Sequence, residues 1–446
     1  MLSRSTGKFL RSTYVIRRAA TSCRRSFASS SRLSTLARYD VEDDFADDEE
    51  GYNYYNSSYH TETTTPSSST IDWDTRLSHY ASQTPTSVSL DWLMRTGDCD
   101  YTLAEFLRQE LPIRLAHRIT DVDSCWQLRH TPALQGVRKL YLDSLRQLVN
   151  DFPHPVMGAQ EEERFANVLT GLYQKHSGVL VDMARGAYQW REELRSQRKE
   201  EGEEEDTFAA QHECHAFLDR FYLSRTGIRF LAGQYLAARQ PPPPRTIAGD
   251  HQSYVGMICR TTRPLTCVQQ AIADASLLCR RTYGRSPRVE IVSSTNETFP
   301  YIPTYLHYIL LELLKNALRA TMDAHADKAV IPPVQVVLAD GAENEDVVIK
   351  IADQGGGIRR SQVDKIWSYL YTTASPQVQK SFVGSDSKVA DHTTAPLAGL
   401  GYGLPIARGY CRYFGGDLDL MSLEGYGTDA FVHLKRLGNS REPVPV

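Results

Sequence analysis

From about residue 86 to residue 239, apolar side chains recur at steps of three and four residues. Leu103, Phe106, Leu107, Leu111, Leu115 and Ile119 form a first stripe, with Pro112 as an expected kink. Leu134, Val137, Tyr141, Leu145 and Leu148 form a second. Phe165, Leu169, Leu172, His176, Val179 and Met183 form a third, and Phe217, Phe221, Ile228, Leu231 and Tyr235 a fourth. Four long amphipathic helices joined by short breaks predict a four-helix bundle. The stretch from Glu192 to Asp206 is dense in charge and reads as a solvated helix end or loop. Pro241–Pro244 then forms a stiff linker, and the periodicity changes. Helical segments near 264–282 and 303–325 alternate with strand-like runs at 289–292, 334–339, 347–351, 418–423 and 428–434. With a final hairpin at Glu424–Gly427, this part predicts an α/β sandwich.

Composition narrows the partners and the compartment. The chain has 446 residues, 41% apolar, enough for a sizeable core. A net charge of −4 is too mild for a nucleic-acid surface, and no apolar run is long enough to predict a membrane span. Eight scattered cysteines without a CxxC pair point to reduced thiols. His212 and His215 stand three residues apart, not the four of a zincin helix, and read as a polar helix start. Residues 1–39 hold eight arginines, one lysine and no acid, the pattern of a mitochondrial transit peptide, with Arg25-Ser-Phe27 as a cleavage site. Residues 40–85 begin with acids between Glu42 and Glu50 and continue in Tyr, Asn, Ser and Thr, which predicts a disordered linker. The expected organisation is therefore transit peptide 1–39, linker 40–85, bundle 86–240, α/β domain 241–436 and tail 437–446.

Three motifs in the second half carry chemistry. Glu312, Lys315, Asn316 and Arg319 stand at i, i+3, i+4 and i+7 of a strongly apolar helix and share one face. An amide oxygen there can ligate magnesium, a cation can meet phosphate and a carboxylate can take a proton; an exposed, ion-paired face is the plainer reading. Asp353-Gln-Gly-Gly-Gly357 follows an alternating strand, where an aspartate can accept from a base amino group and glycines admit a ligand to the backbone. Gly399-Leu-Gly401-Tyr-Gly403-Leu-Pro405 feeds a helix start, an anion cradle in form. A polar stretch at about 374–398 precedes it and reads as a lid.

In this order, the motifs resemble the GHKL ATPase superfamily, which includes histidine kinases, type II topoisomerases and a heat-shock chaperone. Leu107–Arg118, Ser224–Arg229, Phe299–Pro303, Tyr371–Ala374 and Ser422–Asp429 extend the resemblance to the mitochondrial pyruvate and branched-chain 2-oxoacid dehydrogenase kinases, over about residues 86–436. The resemblance implies a bundle followed by a GHKL (Bergerat) ATP-binding sandwich. It implies transfer of the γ-phosphoryl group of Mg-ATP to a serine of a decarboxylase subunit in the mitochondrial matrix. A lipoyl domain of the acyltransferase core and a second copy of the chain are the further implied partners. By position, Glu312 would be the general base and Asn316 the magnesium ligand. Lys315 and Arg319 would lie near the phosphates. Asp353, Gly355 and Gly357 would form the adenine pocket. Thr372, Thr373, Gly399, Gly401, Tyr402, Gly403 and Leu404 would surround the nucleotide. Ile366, Ser368, Tyr371 and Gly401 match positions that bind potassium.

The chain also departs from the pyruvate type. Tyr308, not histidine, stands four residues before Glu312, as in the branched-chain type, and no tryptophan follows Trp367. Tyr254–Cys259 is branched-chain-like, whereas Gly403–Ile406 and Ser422–Gly427 are pyruvate-like, so both substrates stay open, with the branched-chain complex slightly ahead on sequence. Two other readings also stand: an ATPase that uses nucleotide as a conformational switch, and a pseudokinase scaffold on the complex core.

Overall fold

A computed structural model describes residues 72–97, 100–201, 211–240, 253–293, 297–339, 346–372 and 400–445. The expected transit peptide, most of the linker, Pro241–Pro244 and the polar stretch at 374–398 lie outside the described residues.

The apolar stripes fold as helices. α1 (Trp73–Ala81) and α2 (Leu90–Thr96) precede α3 (Asp100–Ser124), α4 (Pro132–Asp151), α5 (Ala159–Lys175), α6 (Val179–Glu201) and α7 (His212–Ala238). Two expectations need correction. α1 lies inside the stretch read as disordered linker. Asp72 caps it by accepting the Asp74 N–H, and Leu77, Tyr80 and Ala81 rest against the core. Three apolar residues among polar ones were too few to show as a stripe. The third stripe is two helices, broken at His176–Gly178, where a serine and a glycine follow the α5 C-cap. Pro112 does not end α3, which runs through it. α3 packs on α4 and α7, α4 on α6, and α5 on α3 and α7, so the broken α5–α6 pair is the fourth member of the bundle.

The bundle core also buries polar groups. His176 bonds Ser144 Oγ at 2.8 Å, and burial, with Arg225 adding to it, brings the imidazole down to about 3.

The second half contains β1 (Tyr254–Val255), β2 (Ile258–Thr262), α8 (Pro264–Tyr283), β3 (Val289–Ser293), β4 (Phe299–Tyr301), α9 (Pro303–Ala324), β5 (Val334–Ala339) and β6 (Asp346–Ala352). It continues with α10 (Arg360–Val363), a 3-10 turn at Asp364–Trp367, α11 (Gly403–Tyr413), β7 (Asp417–Leu423) and β8 (Gly427–Lys435). The main sheet has the order β3-β5-β6-β8-β7, with β3 and β5 parallel and the other pairs antiparallel. Alternation sets its inner face: Val336, Leu338, Ile349, Ile351, Val432 and Leu434 are buried, with α9 and α11 against the sheet. A small sheet, β1-β2-β4, joins this layer to α7. There the Gln234 amide donates to Val255 O and accepts from Met257 N, both at 2.8 Å.

Beyond β8 the chain returns to the bundle. The Glu442 N–H donates to Val88 O, and Arg441 pairs with Ser89. The Glu442 carboxylate, almost fully buried, accepts from both terminal nitrogens of Arg114 at 3.1 and 2.5 Å and from the Tyr413 hydroxyl. Among the described residues no helix is long and apolar enough to cross a membrane, and six cysteines are buried free thiols.

Candidate nucleotide site

α9 is the spine of the site. Leu306, Ile309, Leu310, Leu313 and Leu314 are buried, which turns the opposite face outward. That face carries Glu312, Lys315 and Arg319, each half-buried, and Asn316, which is exposed. Lys315 Nζ donates to Glu312 Oε1 at 2.8 Å, and Arg319 pairs with Asp323 at 3.5 Å. The ion-paired face of the plainer reading is therefore present, with the Asn316 amide beside it.

Both glycine motifs converge on this helix. Gly403, the first residue of α11, sits so close to Glu312 that a Cβ there would collide with Glu312 Oε2. The N–H-rich start of α11 thus faces the carboxylate. Gly355 packs on Ala320, whose Cβ would lie 2.5 Å from an added Cβ, and His325 Nε2 bonds Gln354 O at 2.9 Å. Glu312 and Ala320 are eight residues apart, about 12 Å along a helix. That length of α9 separates the glycine-rich start of α11 from the Asp353 turn.

Asp353 follows β6. Its Oδ1 accepts from Gly355 N at 2.8 Å and Thr428 N at 3.3 Å. Burial outweighs these bonds and pushes the carboxyl up to about 6. Gly357 has a φ of +68°, and a Cβ there would strike the Leu423 carbonyl, so this glycine also serves hairpin packing.

Gly401, with a φ of +83°, leaves no room for a Cβ against the Tyr371 carbonyl oxygen. Its own carbonyl accepts from Leu370 N at 3.1 Å, and Ser368 O accepts from Tyr371 N at 3.4 Å. The Ser368, Tyr371 and Gly401 backbones thereby lie together, beside the turn that buries Ile366. Tyr402 is buried, whereas Leu404 and Thr372 are half-buried. Thr373 and Gly399 lie outside the described residues.

The structure also places two α9 residues that precede Glu312. His307 turns inward and bonds Asp274 Oδ2 of α8 at 2.9 Å. Tyr308 lies against Tyr410 with ring centroids 5.2 Å apart. Burial, with the Glu312 charge adding to it, raises its phenol well above the usual range, so Tyr308 is a neutral group near the carboxylate. Missed altogether were the groups that hold Tyr369, Leu370 and Tyr402 from the bundle: Arg191, Asp219 and Tyr222. They carry no local motif, and only tertiary contact identifies them.

The donor set suits a metal brought by nucleotide. Among the described residues no three His, Cys, Asp or Glu side chains gather as a metal cage. One exposed amide on the face beside the glycine-rich helix start leaves room for a metal that takes few protein oxygens.

A family model described as mitochondrial branched-chain alpha-ketoacid dehydrogenase kinase matches residues 87–259. A second, described as histidine kinase-, DNA gyrase B-, and HSP90-like ATPase, matches residues 302–437. A mitochondrial pyruvate dehydrogenase (acetyl-transferring) kinase of Arabidopsis thaliana is 41% identical over 344 residues, 77% of this chain and 87% of the relative. Pyruvate dehydrogenase kinase isozyme 1 of Mus musculus is 35% identical over 359 residues, covering 78% and 76%. Isozyme 4 of Homo sapiens is 35% identical over 361 residues, covering 78% and 80%.

Proposed function

Because this chain belongs to the family of mitochondrial pyruvate and branched-chain 2-oxoacid dehydrogenase kinases within the GHKL superfamily, we propose that it is a mitochondrial protein serine kinase acting on the decarboxylase subunit of the pyruvate dehydrogenase complex. The observation that carries the mechanism is Glu312 set against the start of α11, with the Asp353 turn about 12 Å along the same helix. Asp353 accepts from the adenine amino group in its charged form. The α11 start and Lys315 meet the phosphates, and Asn316 gives an amide oxygen to magnesium.

Bound Mg-ATP supplies the phosphoryl group. Glu312 takes the proton of the serine hydroxyl as its oxygen bonds to the γ-phosphorus, and the bond to the β–γ bridging oxygen breaks to leave ADP. Lys315, paired with Glu312 in this structure, turns to phosphate and frees the carboxylate. Potassium held by carbonyls among Ile366, Ser368, Tyr371 and Gly401 would brace the cradle. The lipoyl domain of the acyltransferase core and a second copy of this chain are the proposed partners. Residues 1–27 are proposed to be removed on entry to the matrix, which N-terminal sequencing of the mature protein tests.

The pyruvate complex is preferred because the relatives at 35–41% identity named above are pyruvate dehydrogenase kinases. The test presents purified pyruvate and branched-chain decarboxylase subunits side by side with labelled ATP. Label on the pyruvate subunit is expected. Label on the branched-chain subunit alone would reassign the substrate. ATP hydrolysis with no labelled protein would favour the conformational-switch reading.

A further inference from the structure

Leu370 is the one non-glycine residue with positive φ, +62°, among the described residues, and it is buried. For an L residue this left-handed backbone is disfavoured and persists only where surroundings impose it. Two bonds do so. The Leu370 N–H donates to Gly401 O at 3.1 Å, and the Leu370 carbonyl accepts from Nη1 of Arg191 at 3.1 Å. Arg191 comes from α6 of the bundle, is almost fully buried and lies over the Tyr188 ring at 4.8 Å.

The residues flanking this contact are also held by the bundle. The Tyr369 hydroxyl donates to Asp219 Oδ1 of α7 at 2.7 Å. The rings of Tyr222, Tyr369 and Tyr402 stand 5.2 to 5.9 Å apart, centroid to centroid. Gly401 is two residues from Gly403, which abuts Glu312. A guanidinium of the helical bundle is therefore joined, through one strained peptide, to the backbone that faces the general base.

We propose that Arg191 is a positioning residue for nucleotide binding. By holding Leu370 in its left-handed conformation it keeps Gly401–Gly403 seated against Glu312. This rests on the nucleotide reading of the site. Arg191 touches no reacting atom, so its role is read in ATP affinity and not in the chemical step alone.

The test uses the full chain, with KM for ATP and kcat measured alongside calorimetric Mg-ATP binding and thermal unfolding. Arg191→Met keeps the stem and removes the donor. It is expected to raise KM for ATP about ten-fold, the scale of one charged hydrogen bond, with a smaller change in kcat. Glycine adopts positive φ without help, so Leu370→Gly in the same chain is expected to restore most of the affinity. A packing role alone would lower thermal stability and leave KM unmoved, or give a loss of affinity that Leu370→Gly does not rescue; either result overturns the proposal. If Arg191→Met does not fold, Arg191→Gln, too short to reach the carbonyl, is read by the same two criteria. Wild-type chain that binds no Mg-ATP would overturn the nucleotide reading and this inference together. Normal wild-type binding with an unchanged Arg191 variant overturns this inference alone.

Discussion

Glu312 stands between two partners, the Lys315 ammonium and the start of α11, and its side chain separates chemistry from binding. Glu312→Gln keeps the shape and loses the basicity. Phosphorylation of the decarboxylase subunit in single turnover is expected to fall about 10²–10⁴-fold, with ATP affinity nearly retained. Wild-type turnover would remove the base assignment, and an equal loss of ATP binding would make Glu312 a metal-organising group. Asp353 gives a pH signature. Its carboxyl is held near 6, above the ordinary value, so ionising it opposes folding. That contribution to stability is present at low pH and is lost as pH rises through about 6. Nucleotide prefers the charged form, so binding runs the other way: Mg-ATP affinity is expected to strengthen as pH rises through about 6 and then level off. Titration of the nucleotide phosphates is common to all variants and cancels against Asp353→Asn, which is expected to lack this component. Identical pH curves for the two proteins would exclude Asp353 as the adenine acceptor.

At the scale of elements, the site depends on glycines that let α9 approach two loops. Gly403→Ala is the sharpest case. Alanine is at least as good as glycine in a helix, yet its Cβ has no place beside Glu312 Oε2. Thermal stability is expected to stay within about 1 kcal/mol of wild type. The rate is expected to drop on the order of 10²-fold as the base is displaced. An active Gly403→Ala protein would show that the close approach has no part in catalysis. The long helices and the five strands of the main sheet were legible because each repeats its apolar residues at a clear period over many positions. The break at His176–Gly178 was not, since the apolar spacing runs across it unchanged. The two-residue strand Tyr254–Val255 was equally hidden, because it owes its place to the buried Gln234 amide and not to its own pattern. Of the candidate site, Glu312, Asn316 and Asp353 stand in local motifs, whereas Arg191 and Asp219 contact residues about 150 or more positions away.

At the scale of the whole molecule, Glu442 fastens the segment beyond the sheet to the bundle. Arg114 and Glu442 are both almost fully buried, so neither charge can be left alone. Glu442→Ala is expected to cost about 3–5 kcal/mol, measured by denaturant unfolding, because it removes one of the two carboxylates, Glu110 and Glu442, that hold the buried Arg114 guanidinium. A change within about 0.5 kcal/mol, the range of ordinary surface substitutions, would mean that water replaces the carboxylate. The same contact has a consequence for how the protein comes into being. Arg114 and Glu442 are 328 positions apart, so the first helices of the bundle, with Glu110 already beside Arg114, are made long before its second carboxylate. Closing so long a loop adds little equilibrium cost, since each doubling of its length adds only about 0.6 kcal/mol, but contacts of this separation slow folding. During vectorial synthesis or threading across a membrane, the Arg114 guanidinium has Glu110 beside it but lacks its second carboxylate until residue 442 arrives. The Glu442 contacts are therefore the last to form, and a chain arrested before residue 442 would carry every motif of the candidate site on a bundle that lacked them.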